Sequence, residues 1–320
     1  MDIRQLRYFV AIAEQGSFSR AAALLHIAQP ALSLHVRNME ADLGTSLLFR
    51  SPKGVVPTEA GEILLRNARI IIDQLSIAEE EIRGHDNDPA GEVRLGLPGT
   101  ISQILAVPLI TAARTRYPNI KLRIAEAMSG FVLEWMRDAR IDLAVLYRDV
   151  HDRGIAMVRI LEEELAFFGP VEPPAGIDLP PPGETLGYDL IAQLPLILPG
   201  ESHGLRELLE RQALASGLDL NTVIDVDSYS NIKELVSSGF GYSILPLNAI
   251  AREVAAGQLK SWAISKPSIR RSIYLAHSIE RPMTNAVAAI EALAREVLRD
   301  LARTGRWAGA IILPDEAEDG

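Results

Sequence analysis

SRAAALLHIAQPALSLHVRNMEADL, Ser19–Leu43, carries two short helical patterns separated by a tight turn. Ala21, Ala22 and Ala23 mark a first helix that packs closely, with Ser17 or Ser19 placed to cap it. His26 and Ile27 fall in the turn, and Pro30 suits the first turn of the next helix, where its missing N–H costs nothing. In that second helix Leu32, Val36, Met39 and Leu43 recur at helical spacing and predict a buried stripe. Pro30, Leu34, Arg37 and Asn38 fall on the opposite side, with Gln29, Ser33 and His35 on the flanks. Such an outer face can lie in a major groove, where Gln29 can pair with adenine and Leu34 can touch a thymine methyl. A surface helix of any small helical domain has the same pattern.

Working outward, Leu6, Phe9, Val10 and Ala13 line one face of a preceding helix from about Ile3 to Glu14, which Gly16 ends. Downstream, Gly44 stops the helix. Leu47-Leu48-Phe49, the basic turn Arg50-Ser51-Pro52-Lys53-Gly54 and Val55-Val56-Pro57 predict a hairpin wing, and Thr58 can cap the next helix. Arg50 and Lys53 are placed to reach phosphate or the minor groove. The chain of 320 residues has a net charge of −10, yet residues 1–58 hold six cations against four carboxylates, leaving −12 for the rest. A mildly basic head before an acidic body is compatible with local DNA contact.

The run SFSRAAALLHIAQPALSLHVRNMEADLGTSLLFRSPKGVVPTEAG resembles the winged helix-turn-helix of the LysR-type transcriptional regulators. SRAAALL, AQPALS, the Arg50 wing and Thr58-Glu59-Ala60-Gly61 stand in the family's order, and HIAQPALS looks most like the branch that includes nitrogen assimilation control regulators. The resemblance implies that Gln29, Pro30 and Ser33 meet bases and phosphates and that Arg50 works from the wing. Leu34 and His35 depart from the longer polar residues of many relatives, and Leu48-Phe49 departs from a Phe followed by a polar residue. The candidate DNA-binding residues are therefore Gln29, Pro30, Ser33, Leu34, Arg37, Arg50 and Lys53.

From Thr58 to about Arg83 one helix is predicted, with Leu64, Ala68, Ile71, Leu75, Ala78 and Ile82 forming a heptad seam. The seam suits a dimer, since paired helix-turn-helix units read paired half-sites. An amphipathic helix packed on its own domain is the alternative. Residues 84–89, GHDNDP, break the helix and form a hinge.

Beyond residue 91, short β-rich runs alternate with helical stretches: VRLGL (93–97), KLRIAEA (121–127), DLAVLY (142–147), ELAFFG (164–169), LPLILP (194–199), TVIDV (222–226) and YSILP (242–246). The alternation predicts an α/β body with mostly parallel strands. PVEPPAGIDLPPPGE (170–184) reads as a surface loop, a last helix runs from about Thr284 to Thr304, and residues 305–320 read as an acidic tail. The body resembles the family's effector domain, more weakly than the head. That implies two Rossmann-like subdomains, as in a periplasmic binding protein, one of 91–161 plus 270–304 and the other of 162–269.

In open α/β sheets a ligand sits beyond the carboxyl ends of the strands, near helix N-termini. Thr100, Ser102, Ser129, Ser202, His203 and Ser228 occupy such ends, and Tyr147 ends its strand. Amides and hydroxyls at helix starts favour an anion, so a small carboxylate-type effector is expected. The same hydroxyls serve as helix caps whether or not a ligand binds.

The expected function is transcriptional regulation by a protein that binds double-stranded DNA, is switched by an effector and forms a homodimer or homotetramer, with RNA polymerase as a candidate partner. A solute-binding protein or ligand-sensing module without a transcriptional role is the alternative. No catalysis, cofactor or metal is expected. Cys is absent, the six His are scattered without metal-ligand spacing, and Glu162-Glu163-Glu164 reads as a solvated strand edge. An N-terminus interrupted early by charge, and no apolar run near ~20 residues, predict a cytoplasmic protein without membrane spans.

Overall fold

A computed structural model describes residues 1–52, 54–83, 89–148, 150, 152–173, 177, 179–201 and 203–313, with the side chains at 80–83 and 129 outside the description. The head is built from α1 (Ile3–Gln15), α2 (Phe18–Leu25), α3 (Gln29–Leu43) and a hairpin of β1 (Leu48–Ser51) and β2 (Gly54–Pro57). Its starts and stops obey capping chemistry. Asp2 and Gln5 form a reciprocal capping box at 2.8 Å each way, Ser17 caps α2, and Gly16 and Gly44 end α1 and α3 in the left-handed conformation.

Leu6, Phe9, Ile12, Ala21, Leu32, Val36 and Met39 make the head's core. Leu43, expected in the stripe, is 47 % exposed instead. It is the last residue of α3, one position before the Gly44 turn, and the core does not extend that far.

The long helix α4 (Glu59–Arg83) starts on Thr58, whose hydroxyl accepts from the Gly61 amide at 3.0 Å. Gly61 lets α4 touch the wing: a Cβ there would stand 2.0 Å from the Leu47 carbonyl oxygen. The heptad seam is divided. Leu64 and Ala68, with Leu65, close the head's own core, while Ile71 is 45 % exposed. The Ile82 side chain and the hinge at 84–88 lie outside the described residues.

In the body, β3 (Gly91–Pro98), α5 (Gly99–Arg116), β4 (Ile120–Ala127), α6 (Ser129–Arg137) and β5 (Leu143–Leu146) are followed by the long strand β6 (Ile155–Pro170). Then come β7 (Thr185–Gly187), α7 (Tyr188–Gln193), β8 (Leu196–Leu198), α8 (Gly204–Ala215), β9 (Thr222–Asp225) and α9 (Tyr229–Ser237). The body ends with β10 (Ser243–Pro246), α10 (Leu247–Ala255), β11 (Leu259–Ser265), β12 (Arg270–Ser278), α11 (Asn285–Arg303) and β13 (Ala310–Ile312).

Two lobes have separate cores. Val93, Leu95, Leu105, Val145, Ile273, Ile290 and Leu298 belong to one; Phe167, Tyr188, Ile197, Leu209, Ile232, Tyr242 and Trp262 belong to the other. Two strands join them. The first part of β6 pairs with β12 and its second part with β10 and β11, all antiparallel.

The expectation of mostly parallel strands holds only locally. β3–β4, β3–β5, β8–β9 and β7–β11 are parallel, whereas every ladder made by β6 or β12 is antiparallel. A strand that leaves one lobe and a strand that returns to it must run in opposite directions, and both lobes build on that pair.

Two further expectations change. Glu162–Glu164 is no solvated edge: it lies inside β6, and alternation turns Glu163 inward, where it is 2 % exposed. Residues 305–313 are not tail either. Trp307 is buried and β13 adds to β6, because the indole N–H donates to Glu163 at 3.0 Å. Residues 314–320 lie outside the described residues. Among the described residues no helix is long and apolar enough to cross a membrane.

Candidate functional site

At the head, α3 presents Gln29, Pro30, Leu34 and Arg37 to solvent, with Leu34 52 % exposed and Ser33 half-buried. Its N-cap Ala28 makes no side-chain cap bond, so the first amides of α3 are available to an outside acceptor. His35 is turned inward, its ring 5.2 Å from that of Tyr8 on α1.

The wing is tied to α3. Arg50 donates to Glu40 at 3.2 Å and to Ser33 Oγ at 3.4 Å, while its guanidinium lies 4.9 Å over the Phe18 ring. Glu40 also accepts from the amides of Leu47 and Leu48, at 2.9 and 3.2 Å. Glu40 thus sets the wing's position on the helix, a role its place in a polar stretch does not announce. Lys53 lies outside the described residues.

A second site opens between the lobes. The N-termini of α5, α8 and α9 converge there, bringing Thr100, His203 and Ser228 to one cavity of about 340 Å³, with Tyr147 in its wall. Ser102 is half-buried on α5 and does not line that cavity. The Ser129 side chain and Ser202 lie outside the described residues.

Behind the wall formed by Thr100 and Tyr147 is a residue that strand-end reasoning misses. Arg271 of β12, 5 % exposed, pairs with Glu163 of β6, donates to Thr100 Oγ1 at 3.3 Å and stacks 3.5 Å from the Tyr147 ring centroid. The Thr100 and Tyr147 hydroxyls are themselves hydrogen-bonded. The signal was present: Ile269, Arg271, Ile273 and Leu275 alternate along the strand, so the one cation falls on the inward face.

Electrostatics follow from this burial. Desolvation opposes the charge on Arg271, but Glu163 together with Tyr147 and Tyr229 outweighs it and the guanidinium is held above its ordinary value. Burial pushes the Tyr147 phenol up, and it stays protonated as a donor. His203 is pushed below its ordinary value, first by burial and then by Arg271. Its Nδ1 accepts from the Leu205 amide at 3.1 Å, so the neutral ring carries its proton on Nε2.

A third feature joins head and body. Arg69 of α4, 5 % exposed, donates to the Asp138 carbonyl at 2.8 Å and to Glu14 at 3.0 Å. Arg281 binds Asp73 of α4 and stands 2.8 Å from Asp142, which Arg94 also grips at 2.8 Å. Burial pushes the Asp142 carboxyl up, but Arg94 and Arg281 together hold it below the usual carboxylate range. Among the described residues no group of His and carboxylates is placed to hold a metal.

A winged helix-turn-helix joined by a long helix to a two-lobed cleft defines a class: a DNA-binding protein with a ligand-sensing body. Residues 3–62 match the family of bacterial regulatory helix-turn-helix proteins of the lysR type, and residues 86–299 match the LysR substrate binding domain. The chain belongs to the LysR family of DNA-binding transcriptional regulators.

It is 32 % identical over 278 residues to the nitrogen assimilation regulatory protein nac of Escherichia coli K12, covering 86 % of this chain and 88 % of that one. The nac protein of Klebsiella aerogenes is 30 % identical over 294 residues, covering 91 % and 93 %. The resemblance read from HIAQPALS points to the same branch. Among solved structures, a full-length single-residue variant of OxyR from Pseudomonas aeruginosa superposes with a TM-score of 0.76 at 25 % identity, covering 93 % of this chain and 94 % of that one. CbnR in complex with its target DNA shares the fold, with a TM-score of 0.61 at 23 % identity over 93 % and 100 % of the two chains.

Proposed function

We propose that this regulator binds its operator through Gln29, Pro30, Ser33, Leu34, Arg37, Arg50 and Lys53. Binding of a small carboxylate-bearing effector between the lobes changes how paired heads are presented to DNA. The observation that carries the effector reading is the meeting, in one cavity, of three helix N-termini with the neutral donor His203, with the buried Arg271 held behind the cavity wall against Thr100 and Tyr147. Thr100, Tyr147 and Ser228 stand beside them; Ser102 is on α5, Ser129 begins α6, and Ser202 precedes His203 in the sequence. No catalytic step is part of this reading.

The domain division we infer is 1–58, 59–88 and 91–304, with lobes of 91–161 plus 270–304 and 162–269. The divide falls inside β6, and the second pass between lobes falls beside the Leu165 amide, which donates to the Ile269 carbonyl at 3.0 Å. The protein works in the cytoplasm as a homodimer or homotetramer, Ile63 and Ile71 offering exposed apolar positions on α4. RNA polymerase is the natural partner of the complex on DNA.

The test is a gel-retardation assay with DNA upstream of the gene, repeated over a salt series and with candidate carboxylates. Specific retardation that weakens with salt and changes with one of the compounds is expected. Absent or salt-insensitive binding overturns the DNA assignment. Retardation that no carboxylate alters counts against the effector.

A further inference from the structure

The interlobe cleft is electrically divided. On one side of Tyr147 the cavity of about 340 Å³ carries Glu126 and Asp227 and, with His203 neutral, no full cation. On the other, a cavity of about 540 Å³ is lined by Arg148, Arg211, Arg270 and Arg271 against the single carboxylate of Glu207. Tyr147 borders both.

Three of these charged side chains, Glu126, Arg211 and Asp227, are exposed and make no ion pair among the described residues. Glu126 and Arg211 have no ion pair or hydrogen bond among the described residues, and Asp227 accepts only the Gly200 amide, at 3.0 Å. Arg270 is engaged by Glu164 and Glu162 on partly exposed side chains, and Arg148 by Glu207 on largely exposed ones. Carboxylates from both lobes therefore face one mouth, and an unpaired guanidinium faces the other.

The two signs come close together at the start of α5. A Cβ at Gly99 would lie 3.2 Å from Glu126 Oε1, and the next residue, Thr100, accepts from Arg271. Consecutive α-carbons are about 3.8 Å apart, so a carboxylate and a guanidinium reach the same short stretch of backbone. A purely anionic ligand meets Glu126 and Asp227 without compensation. A purely cationic one meets the arginines.

We propose that the cleft takes a zwitterion: a small amino acid or close analogue, its ammonium at Glu126 and Asp227, its carboxylate toward Arg271, the Nε2–H of His203 and the arginine side. This rests on the effector reading above and narrows it from a carboxylate to a ligand with both charges. The cavity is of a size that encloses such a molecule.

Calorimetric titration of the full chain with matched probes tests it: L-glutamate against 2-oxoglutarate, L-alanine against pyruvate, L-phenylalanine against phenylpyruvate, and L-arginine against agmatine. In at least one pair the amino acid is expected to bind about tenfold or more tighter than its partner, as one lost charge-assisted contact predicts. In Glu126→Gln/Asp227→Asn that preference over the 2-oxo acid is expected to collapse. Binding of 2-oxo acids with no amino acid preferred in any pair overturns the zwitterion and leaves the carboxylate effector standing. An undiminished preference in the double variant overturns the assigned ammonium site. Binding of no probe overturns both ligand assignments, while the gel-retardation result stands separately.

Discussion

Arg281 lies 2.8 Å from Asp142 of the body and at the same time binds Asp73 of the long helix that carries the head. Both Arg281 and Asp142 are buried, so the joint between head and body runs through charges that water does not screen. Removing Arg281 leaves Asp73 without its partner and Asp142 with Arg94 alone. Arg281→Met is expected to cost about 3–5 kcal/mol of stability, read as a lowered urea midpoint. Asp73→Asn keeps Asp142 paired and should cost clearly less. No loss in Asp73→Asn would show that the body's own packing, not this joint, is what Arg281 serves.

Arg50 predicts a split between folding and binding. Its pair with Glu40 is partly exposed, so Arg50→Ala should change stability by no more than about 1 kcal/mol. If the guanidinium leaves Ser33 for a phosphate on DNA, the slope of log affinity against log salt should fall by about 1. An unchanged slope would leave Arg50 with only its intramolecular role.

Leu34 is the residue on α3 whose exposure has no packing explanation. Leu34→Arg is expected to leave the melting temperature nearly unchanged and to alter which sequences are retained in a binding-site selection. An unchanged set of sites would show that this position reads nothing.

The exposed apolar positions of α4 predict the assembly. Ile71→Glu removes an apolar contact from the outer part of the helix without touching Leu64 or Ala68, which belong to the head's core. Sedimentation should show a smaller species with unchanged circular dichroism. An unaltered sedimentation coefficient would place the interface elsewhere.

Acid should destabilise the protein in two stages. His203 is held below its ordinary value, so the unfolded chain binds more protons than the native one, and stability is lost as pH falls below about 6.5. Asp142 is also held below its ordinary value, and its contribution is lost lower, as pH falls through the native carboxyl's range. His203→Gln should flatten the upper stage and leave the lower one. Denaturant midpoints from pH 8 down to about pH 2 would show both stages.

Much of the head was legible because its elements are local. Caps at Ser17, Gly16, Gly44 and Thr58 and the stripe Leu32–Val36–Met39 depend on residues a few positions apart. Leu43 was misplaced because periodicity says nothing about where a core stops. In the cleft, Thr100, His203 and Ser228 could be found from strand ends. Arg271 could not be found that way, since its meaning comes from Glu163, more than a hundred residues earlier in the chain.

By itself the sequence determined the class: a helix-turn-helix with a basic wing, a long helix, and an α/β body, all written in short-range spacing that any fold must satisfy. Only the tertiary structure decided which charges matter. Glu163 and Arg271 are buried because β6 and β12 run antiparallel between the lobes, and Arg69 and Arg281 because the long helix lies against the body. Whether a charged side chain is solvated surface or a buried pair depends on what packs over it, and that comes from residues far away in the chain.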